Sequence, residues 1–282
     1  MTGDGPVLPA VGVTAVGVAA LRAVETERPE RLFADPFAAA FVRAAGPIDR
    51  PAPDARRRAR RASLAAWVAV RTRFLDEVVL DACAGGCRQV VILGAGLDAR
   101  AFRLAWPDEV RVFEIDLPEV LEFKEQVVRA ERWRPSCERI TVPADLSGNW
   151  SRPLGEQGFE AGMKVAWLAE GLLAYLSPEA SDSLVVRAAE LSAPGSRLGL
   201  TLASSQRLEA WRQAHPEGTG EPGDYVALWR FAGAEQATEW LASHGWHAEV
   251  FDIAERARSY GRPLDPDGLR AGGARLVDAE RR

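Results

Sequence analysis

Gly94, Gly96 and Asp116 have the residue types and the spacing to do chemistry together. The stretch from Gln89 to Arg100, Gln-Val-Val-Ile-Leu-Gly-Ala-Gly-Leu-Asp-Ala-Arg, reads as a buried strand, a glycine turn and a short helix. A second strand, 110–115, delivers Asp116 about 20 residues beyond Gly96, the interval at which an acid meets the ribose hydroxyls of a nucleotide-type cofactor. Glycines let the backbone come close to such a ligand, and a carboxylate can accept from two hydroxyls at once. A glycine pair after a strand also suits a plain strand-to-helix turn; the acid at this distance favours the cofactor.

The neighbouring residues bear on which cofactor. Dinucleotide sites prefer a third glycine before a helix N-terminus that faces pyrophosphate. Here that position is Ala99, and Asp98 stands directly before it. A carboxylate there would repel a pyrophosphate and suit a ligand with a positive centre and no phosphate. S-adenosyl-L-methionine, with its sulfonium, ammonium, ribose and adenine, is such a ligand, leaving S-adenosyl-L-homocysteine as product. A nicotinamide-dependent oxidoreductase on the same fold is the competing reading, and a cofactor-binding, non-catalytic interaction protein is a third.

Further candidates follow later strands. Asp145 and Leu146 come after the third, where an acid can accept from the adenine amino group and a leucine can pack on the ring; a turn or helix cap is the alternative for Asp145. Glu170 ends the fourth, in Trp167-Leu168-Ala169-Glu170-Gly171, where a carboxylate would face the cofactor's ammonium. Tyr175 could point into the methyl-transfer region, although Leu-Leu-Ala-Tyr-Leu is equally an ordinary core helix. Glu170 and Tyr175 are thus the catalytic candidates. Methyl transfer from a sulfonium needs positioning and exclusion of water more than a covalent nucleophile. Of the histidines, His244 and His247 lie in a late helix-to-strand turn away from the expected site, while His215, in a proline-flanked loop of the insertion, could reach the pocket. This shortage of bases tilts the acceptor toward a carboxylate, already ionised at pH 7, over a hydroxyl.

The elements that must position these residues can be read coarsely. Residues 11–84 have helical period, interrupted at Pro29, Pro36 and the 46–53 segment. From Gln89 the pattern alternates, with strands at 89–94, 110–115, 138–142, 163–169, 196–202, 246–251 and 273–278. Helices lie between them, notably 117–131 and 178–193, the latter entered by Ser177-Pro178-Glu179. Seven strands with intervening helices mean an α/β, doubly wound sheet. The expected organisation is an N-terminal helical cap, 1–84, and a cofactor-binding α/β domain, 85–282, forming one structural unit. Within the second, 204–230 breaks the rhythm and reads as an insertion walling the substrate pocket, with Trp211 and Tyr225 as substrate contacts.

Composition narrows the partners. A net charge of −5 argues against nucleic acid, whose phosphates call for a basic surface. The run Arg56-Arg57-Arg58-Ala59-Arg60-Arg61 lacks interleaved aromatics and reads as a solvated helix face or an arm beside the site mouth. Cys83, Cys87 and Cys137 have no metal spacing and fit the reduced core of a cytoplasmic protein; no metal is expected. The run 7–21 is too short and too rich in small residues to span a membrane, so no membrane partner is expected. A small-molecule acceptor is the expected partner. Nothing in the sequence speaks to oligomeric state.

Three motifs together, Leu93-Gly-Ala-Gly-Leu-Asp-Ala-Arg100, Phe113-Glu-Ile-Asp-Leu-Pro118 and Ala169-Glu-Gly-Leu-Leu-Ala-Tyr-Leu176, resemble the leucine carboxyl methyltransferase-like family. Gly12-Val13-Thr14-Ala15, the stretch 27–37 and Arg71-Thr-Arg-Phe-Leu-Asp76 resemble its actinobacterial branch of S-adenosylmethionine-dependent O-methyltransferases, some of them from polyketide pathways. The resemblance implies a class I methyltransferase, Rossmann-like, seven-stranded and mostly parallel sheet, with an N-terminal helical cap and an insertion after the fifth strand. It also implies that segment 11–45 is a lid over the cofactor, that Arg71 rather than Arg73 clamps the cofactor carboxylate, and that Leu117 and the Asp145-Leu146 pair are cofactor contacts. Arg22, on the lid, is a candidate substrate contact. The implied activity is O-methylation of a small molecule in secondary metabolism, with the acceptor's identity open.

Overall fold

The computed structural model describes residues 10–46, 55–215, 225–264 and 274–282. Seven strands, β1 (Gln89–Leu93), β2 (Arg111–Asp116), β3 (Glu138–Pro143), β4 (Val165–Ala169), β5 (Arg197–Leu202), β6 (Trp246–Asp252) and β7 (Arg275–Arg281), form one sheet. Their spatial order is β3-β2-β1-β4-β5-β7-β6. β1 to β5 run parallel, while β7 inserts antiparallel between β5 and β6. All seven strands lie where the sequence pattern puts them, shifted by a few residues at most. β1 and β4 read Gln-Val-Val-Ile-Leu and Val-Ala-Trp-Leu-Ala with every residue buried, as central parallel strands covered on both faces require.

Side chains alternate between two helical layers. On one face Val91, Leu93, Phe113 and Trp167 pack with Leu184 and Val185 of α7 (Pro178–Glu190). On the other, Val90, Ile92 and Val112 pack with Leu75, Val78 and Val79 of α3 (Ala55–Ala84). Above the carboxyl ends of the strands lie α1 (Ala10–Thr26) and α2 (Ala38–Ala44), where Val16 and Ala19 meet Phe41 and Leu97. The remaining helices are α4 (Arg100–Arg103), α5 (Pro118–Ala130), α6 (Ser151–Glu156), α8 (Ser205–Ala214), α9 (Ala237–Ser243) and α10 (Ile253–Ser259). Entry into α7 follows its sequence signal: Ser177 Oγ accepts the Ala180 N–H at 3.2 Å, Pro178 opens the helix, and Glu179 lies in its first turn.

α3 is at once the last helix of the cap and a full layer of the sheet sandwich. Its Leu75 and Val78 approach so closely that a Cβ on Gly199 of β5 would stand 3.1 Å from each. The expected insertion, 204–230, begins as the ten-residue helix α8 with Leu208 buried; residues 216–224 lie outside the described ones. The arginine run opens α3, with Arg58 and Arg61 exposed; the side chains of Arg56, Arg57 and Arg60 lie outside the described residues. Among the described residues, no helix is long and apolar enough to cross a membrane.

Candidate active site

Each central strand hands over one residue at its carboxyl end: Gly94 after β1, Asp116 closing β2, Asp145 after β3 and Glu170 after β4. β1 lies between β2 and β4, where the strand order reverses, and a doubly wound sheet opens its crevice there. A cavity of about 250 Å³ occupies this point. Thr14, Ala15, Val18 and Arg22 of α1 roof it, Arg71 of α3 forms a side wall, and Leu172, Tyr175 and Leu176 close the rim.

The glycine turn fits tightly beneath this roof. Gly94 has φ of +65°, and a Cβ there would lie 2.8 Å from Leu172 Cδ1. A Cβ on Gly96 would lie 3.3 Å from the Ala15 Cβ of α1, so the roof helix rests on the turn. Asp116 holds the same turn: its Oδ2 accepts the Gly96 N–H at 2.6 Å and its Oδ1 the Leu117 N–H at 2.7 Å. Burial pushes the Asp116 carboxyl above its ordinary value, with these two N–H donors pulling it back. A carboxylate has about four acceptor directions, so two remain for ribose hydroxyls.

Glu170 is the hub of the site. Its Oε1 accepts from Arg22 Nη2 at 2.8 Å, Arg71 Nε at 2.9 Å and Thr72 Oγ1 at 3.2 Å. Its Oε2 lies 2.7 Å from Arg100 Nη2, close enough for charge attraction but off the hydrogen-bond direction. Burial works to raise its pKa, but Arg22, Arg100 and Arg71 override this and hold the carboxyl well below its ordinary value. Glu170 is therefore a fixed anion, not a proton acceptor at neutral pH. Behind it, fully buried Arg100 pairs with Asp98 and, at 2.7 Å, with Asp76, and Asp76 in turn takes two bonds from Arg103. Sequence reasoning missed Thr72, Asp76 and Arg100 as a group. Their signal was available in the i, i+4 spacing of Thr72 and Asp76, polar positions on the helix face that buries Leu75 and Val79.

Asp98 plays a different part from the one its sequence position suggested. It accepts the Arg100 backbone N–H at 2.7 Å and pairs with the Arg100 guanidinium, so it presents no bare carboxylate to a ligand. The case against pyrophosphate rests on two other features. α4 has only four residues, too few to aim a helix dipole at an anion. Besides the paired Asp98, the charged groups on the described cavity wall are two arginines, Arg22 and Arg71, against three carboxylates, Asp116, Asp145 and Glu170.

The other candidates are placed as follows. Arg71 lines the cavity, stacked 4.3 Å over the Trp67 ring, whereas Arg73 is exposed and pairs with Glu77 at 2.6 Å. Leu117, Asp145, Leu146 and Tyr175 all line the cavity. Asp145 is exposed and caps its own turn through Ser147 N and Oγ, at 2.8 and 2.7 Å, and these bonds hold its pKa below the ordinary value. Tyr175 closes a single 3-10 turn, Leu173–Tyr175, in place of a core helix. Trp211 and Tyr225 have their backbones on α8 and on a 3-10 turn, but their side chains lie outside the described residues. No described residue of the 204–230 segment lines the cavity. His244 contacts Asp182 at 3.4 Å on the α7–α9 side, and none of the three histidines lines the cavity. Cys83 and Cys87 are buried free thiols, the first pushed up to about 12 by burial and by Cys87. No cluster of metal-ligating side chains occurs among the described residues.

Comparison with known proteins decides the family. The leucine carboxyl methyltransferase pattern matches residues 15–189, from the roof helix through α7. The chain belongs to the leucine carboxyl methyltransferase family. A Streptomyces coelicolor protein named among the S-adenosyl-L-methionine-dependent methyltransferases is 46% identical over 271 residues, covering 94% of this chain and 93% of that protein. A Frankia alni protein named in the same way is 44% identical over 276 residues, covering 96% and 95%. In fold, the chain is similar to the crystal structure of a DUF574-family protein from Streptomyces avermitilis, with a TM-score of 0.60 at 15% identity over 94% of this chain and 97% of that one.

This family member is thus a methyltransferase whose cofactor is S-adenosyl-L-methionine, and the nicotinamide reading falls. The cavity fits that cofactor on its own evidence. The buried Nε of Arg22 has no acceptor among the described residues. The carboxylate of an amino-acid ligand would supply one.

Proposed function

We propose that this methyltransferase acts on an oxygen of a small-molecule acceptor, a carboxylate in preference to a hydroxyl, within secondary metabolism. The observation that carries this reading is a shortage of bases among the described residues: no histidine lines the cavity, and Asp98 and Glu170 are both committed to guanidinium groups. An acceptor carboxylate is ionised at neutral pH and needs no base, while a phenol of pKa about 10 would need one.

When bound, S-adenosylmethionine supplies a methyl group on a sulfonium, open to displacement by an oxygen lone pair in line with the leaving sulfur. The chain's own residues position and shield. Arg71, with Arg22 beside it, holds a carboxylate, Glu170 an ammonium, Asp116 the ribose hydroxyls, and Asp145 with Leu117 and Leu146 the adenine side. Ala15, Val18, Leu172 and Leu176 keep water from the reacting oxygen. Tyr175, partly exposed at the cavity rim, is our candidate contact for the acceptor. The negative overall charge and the buried thiols support a cytoplasmic enzyme whose partner is neither nucleic acid nor membrane.

The test is turnover of a panel of aromatic and aliphatic acids against the matching phenols, with product mass and alkaline lability of the methyl ester as readouts. A base-labile product, formed at a rate flat from about pH 6 to pH 9, is the expected outcome, because the acceptor is fully ionised throughout. Turnover confined to phenols, rising with pH toward their ionisation, would overturn the carboxylate assignment.

A further inference from the structure

The roof helix is a poor helix, docked by the packing of Val16 and Ala19 against Phe41 and Leu97 and by one buried charge. The first half of α1, Ala10-Val-Gly-Val-Thr-Ala-Val-Gly-Val18, alternates β-branched residues and glycine, which disfavour helix on their own. Its order therefore depends on docking. The far end of α1 is well anchored: Glu25 takes two bonds from Arg262 at 2.9 and 3.1 Å, and Thr26 Oγ1 accepts the Asp35 N–H at 2.8 Å. The near end covers the cavity through Thr14, Ala15 and Val18, with Ala15 resting against Gly96 of the glycine turn. Between the two ends stands Arg22, 6% exposed, reaching the Glu170 carboxylate across the strand ends.

We propose that Glu170 is a positioning residue that latches α1 over the cofactor cavity through Arg22, so that the first turns of α1 stay helical and docked only while this ion pair is made. The surroundings of Glu170 make such a latch releasable. Stripping the partner from a buried carboxylate is ordinarily prohibitive, because an uncompensated charge remains inside. Here Arg71 and Arg100 stay beside Glu170 when Arg22 leaves, and Arg22 moves into water. The cost of opening is then the docking of α1, not the exposure of a stranded charge. With α1 resting on Gly96, a ligand as large as a nucleoside reaches the cavity by lifting the near half of the helix about its anchored end. The latch concerns entry and retention of the cofactor and does not depend on which acceptor is methylated.

Hydrogen–deuterium exchange of the full chain, with and without S-adenosylhomocysteine, tests this together with ligand dissociation rates by stopped flow. Arg22→Ala should speed exchange across 10–21 by roughly tenfold or more and speed ligand release by roughly 30-fold, the low end of the range for truncating one partner of a buried charge pair. Association should not slow, and β1 and β4 should keep their protection. Arg22→Lys, which keeps the charge, should recover part of both effects. Arg71→Ala should weaken ligand binding while leaving exchange in 10–21 unchanged, which separates the latch from general damage to the site. Glu170→Gln should resemble Arg22→Ala in α1; if that variant does not fold, the Arg22 pair carries the test. Wild-type exchange across 10–21 in Arg22→Ala, or acceleration spread evenly over the sheet, would overturn the latch. If S-adenosylhomocysteine fails to bind the wild type, the cofactor assignment falls, and exchange of the ligand-free variants decides the latch by itself.

Discussion

At the scale of residues, Asp116 and Gly171 make the sharpest demands. Asp116 uses one oxygen on the glycine turn and one on the start of α5, so its position is fixed before any ligand arrives. Asp116→Asn keeps the shape and removes the charge; calorimetry with S-adenosylhomocysteine should read at least about tenfold weaker binding, as expected when charged acceptors become neutral ones. Gly171 has φ of +65°, and a Cβ there would lie 3.0 Å from Arg71 Nη1. Gly171→Ala should therefore displace the Arg71 guanidinium as well as strain the backbone. Gly162→Ala is the matched control, with φ of +78° and nothing within 4 Å. Both should lose about 1–2 kcal/mol in urea unfolding, the cost of a left-handed backbone for a side chain. Ligand affinity should fall only in the first, and an equal loss in both would mean that the contact with Arg71 does not matter. Gly94, Asp116, Asp145 and Glu170 were legible in the sequence because a doubly wound sheet sets its chemistry at strand ends, and strand ends can be read from apolar runs. The surroundings of Glu170 were not legible. They come from α1, α3 and α4, which meet only in the folded chain, and a lone charged residue does not announce its partners. For the same reason Asp98 read as a bare carboxylate when it is the partner of Arg100.

At the scale of elements, legibility follows the strength of the period. β1 and β4 are unbroken apolar runs bounded by glycine or charge, and α7 carries its cap, its proline and its acid in order. Ser177→Ala should cost about 1 kcal/mol, or roughly 2–4 °C in the thermal midpoint of a chain of this size, with ligand affinity unchanged. A larger drop in calorimetric midpoint would mean that Ser177 supports more than its helix. α8 was read as irregular insertion because its polar residues outnumber the buried Leu208 that orients it. α3 was recognised as helical, but its part in the sheet sandwich was hidden. Its first turns are charged, and among the described residues its buried apolar face begins at Val68, so one helix serves two layers.

At the scale of the whole molecule, acid should act in two stages. Asp116 is held above its ordinary value of 3.8, so it protonates early as pH falls and ceases to be an anionic acceptor for ribose. Glu170 is held well below its ordinary value of 4.5; its stabilising effect is complete above that pH and is lost only as pH falls toward its depressed native value. Affinity for S-adenosylhomocysteine should therefore decline at a higher pH than the circular dichroism of the fold. Simultaneous loss of binding and structure would show that the two carboxylates are not set apart as described. The sheet order has a consequence for biosynthesis as well. β7, made after the other six strands, belongs between two that precede it, β5 and β6. Until it emerges from the ribosome, β5 has one bare edge and β6 has no partner at all. The nascent chain must carry those edges through translation, so its yield in cells should be sensitive to chaperone supply, and a chain stopped before Arg275 should collect in the insoluble fraction even though every residue of its cofactor site has been synthesised.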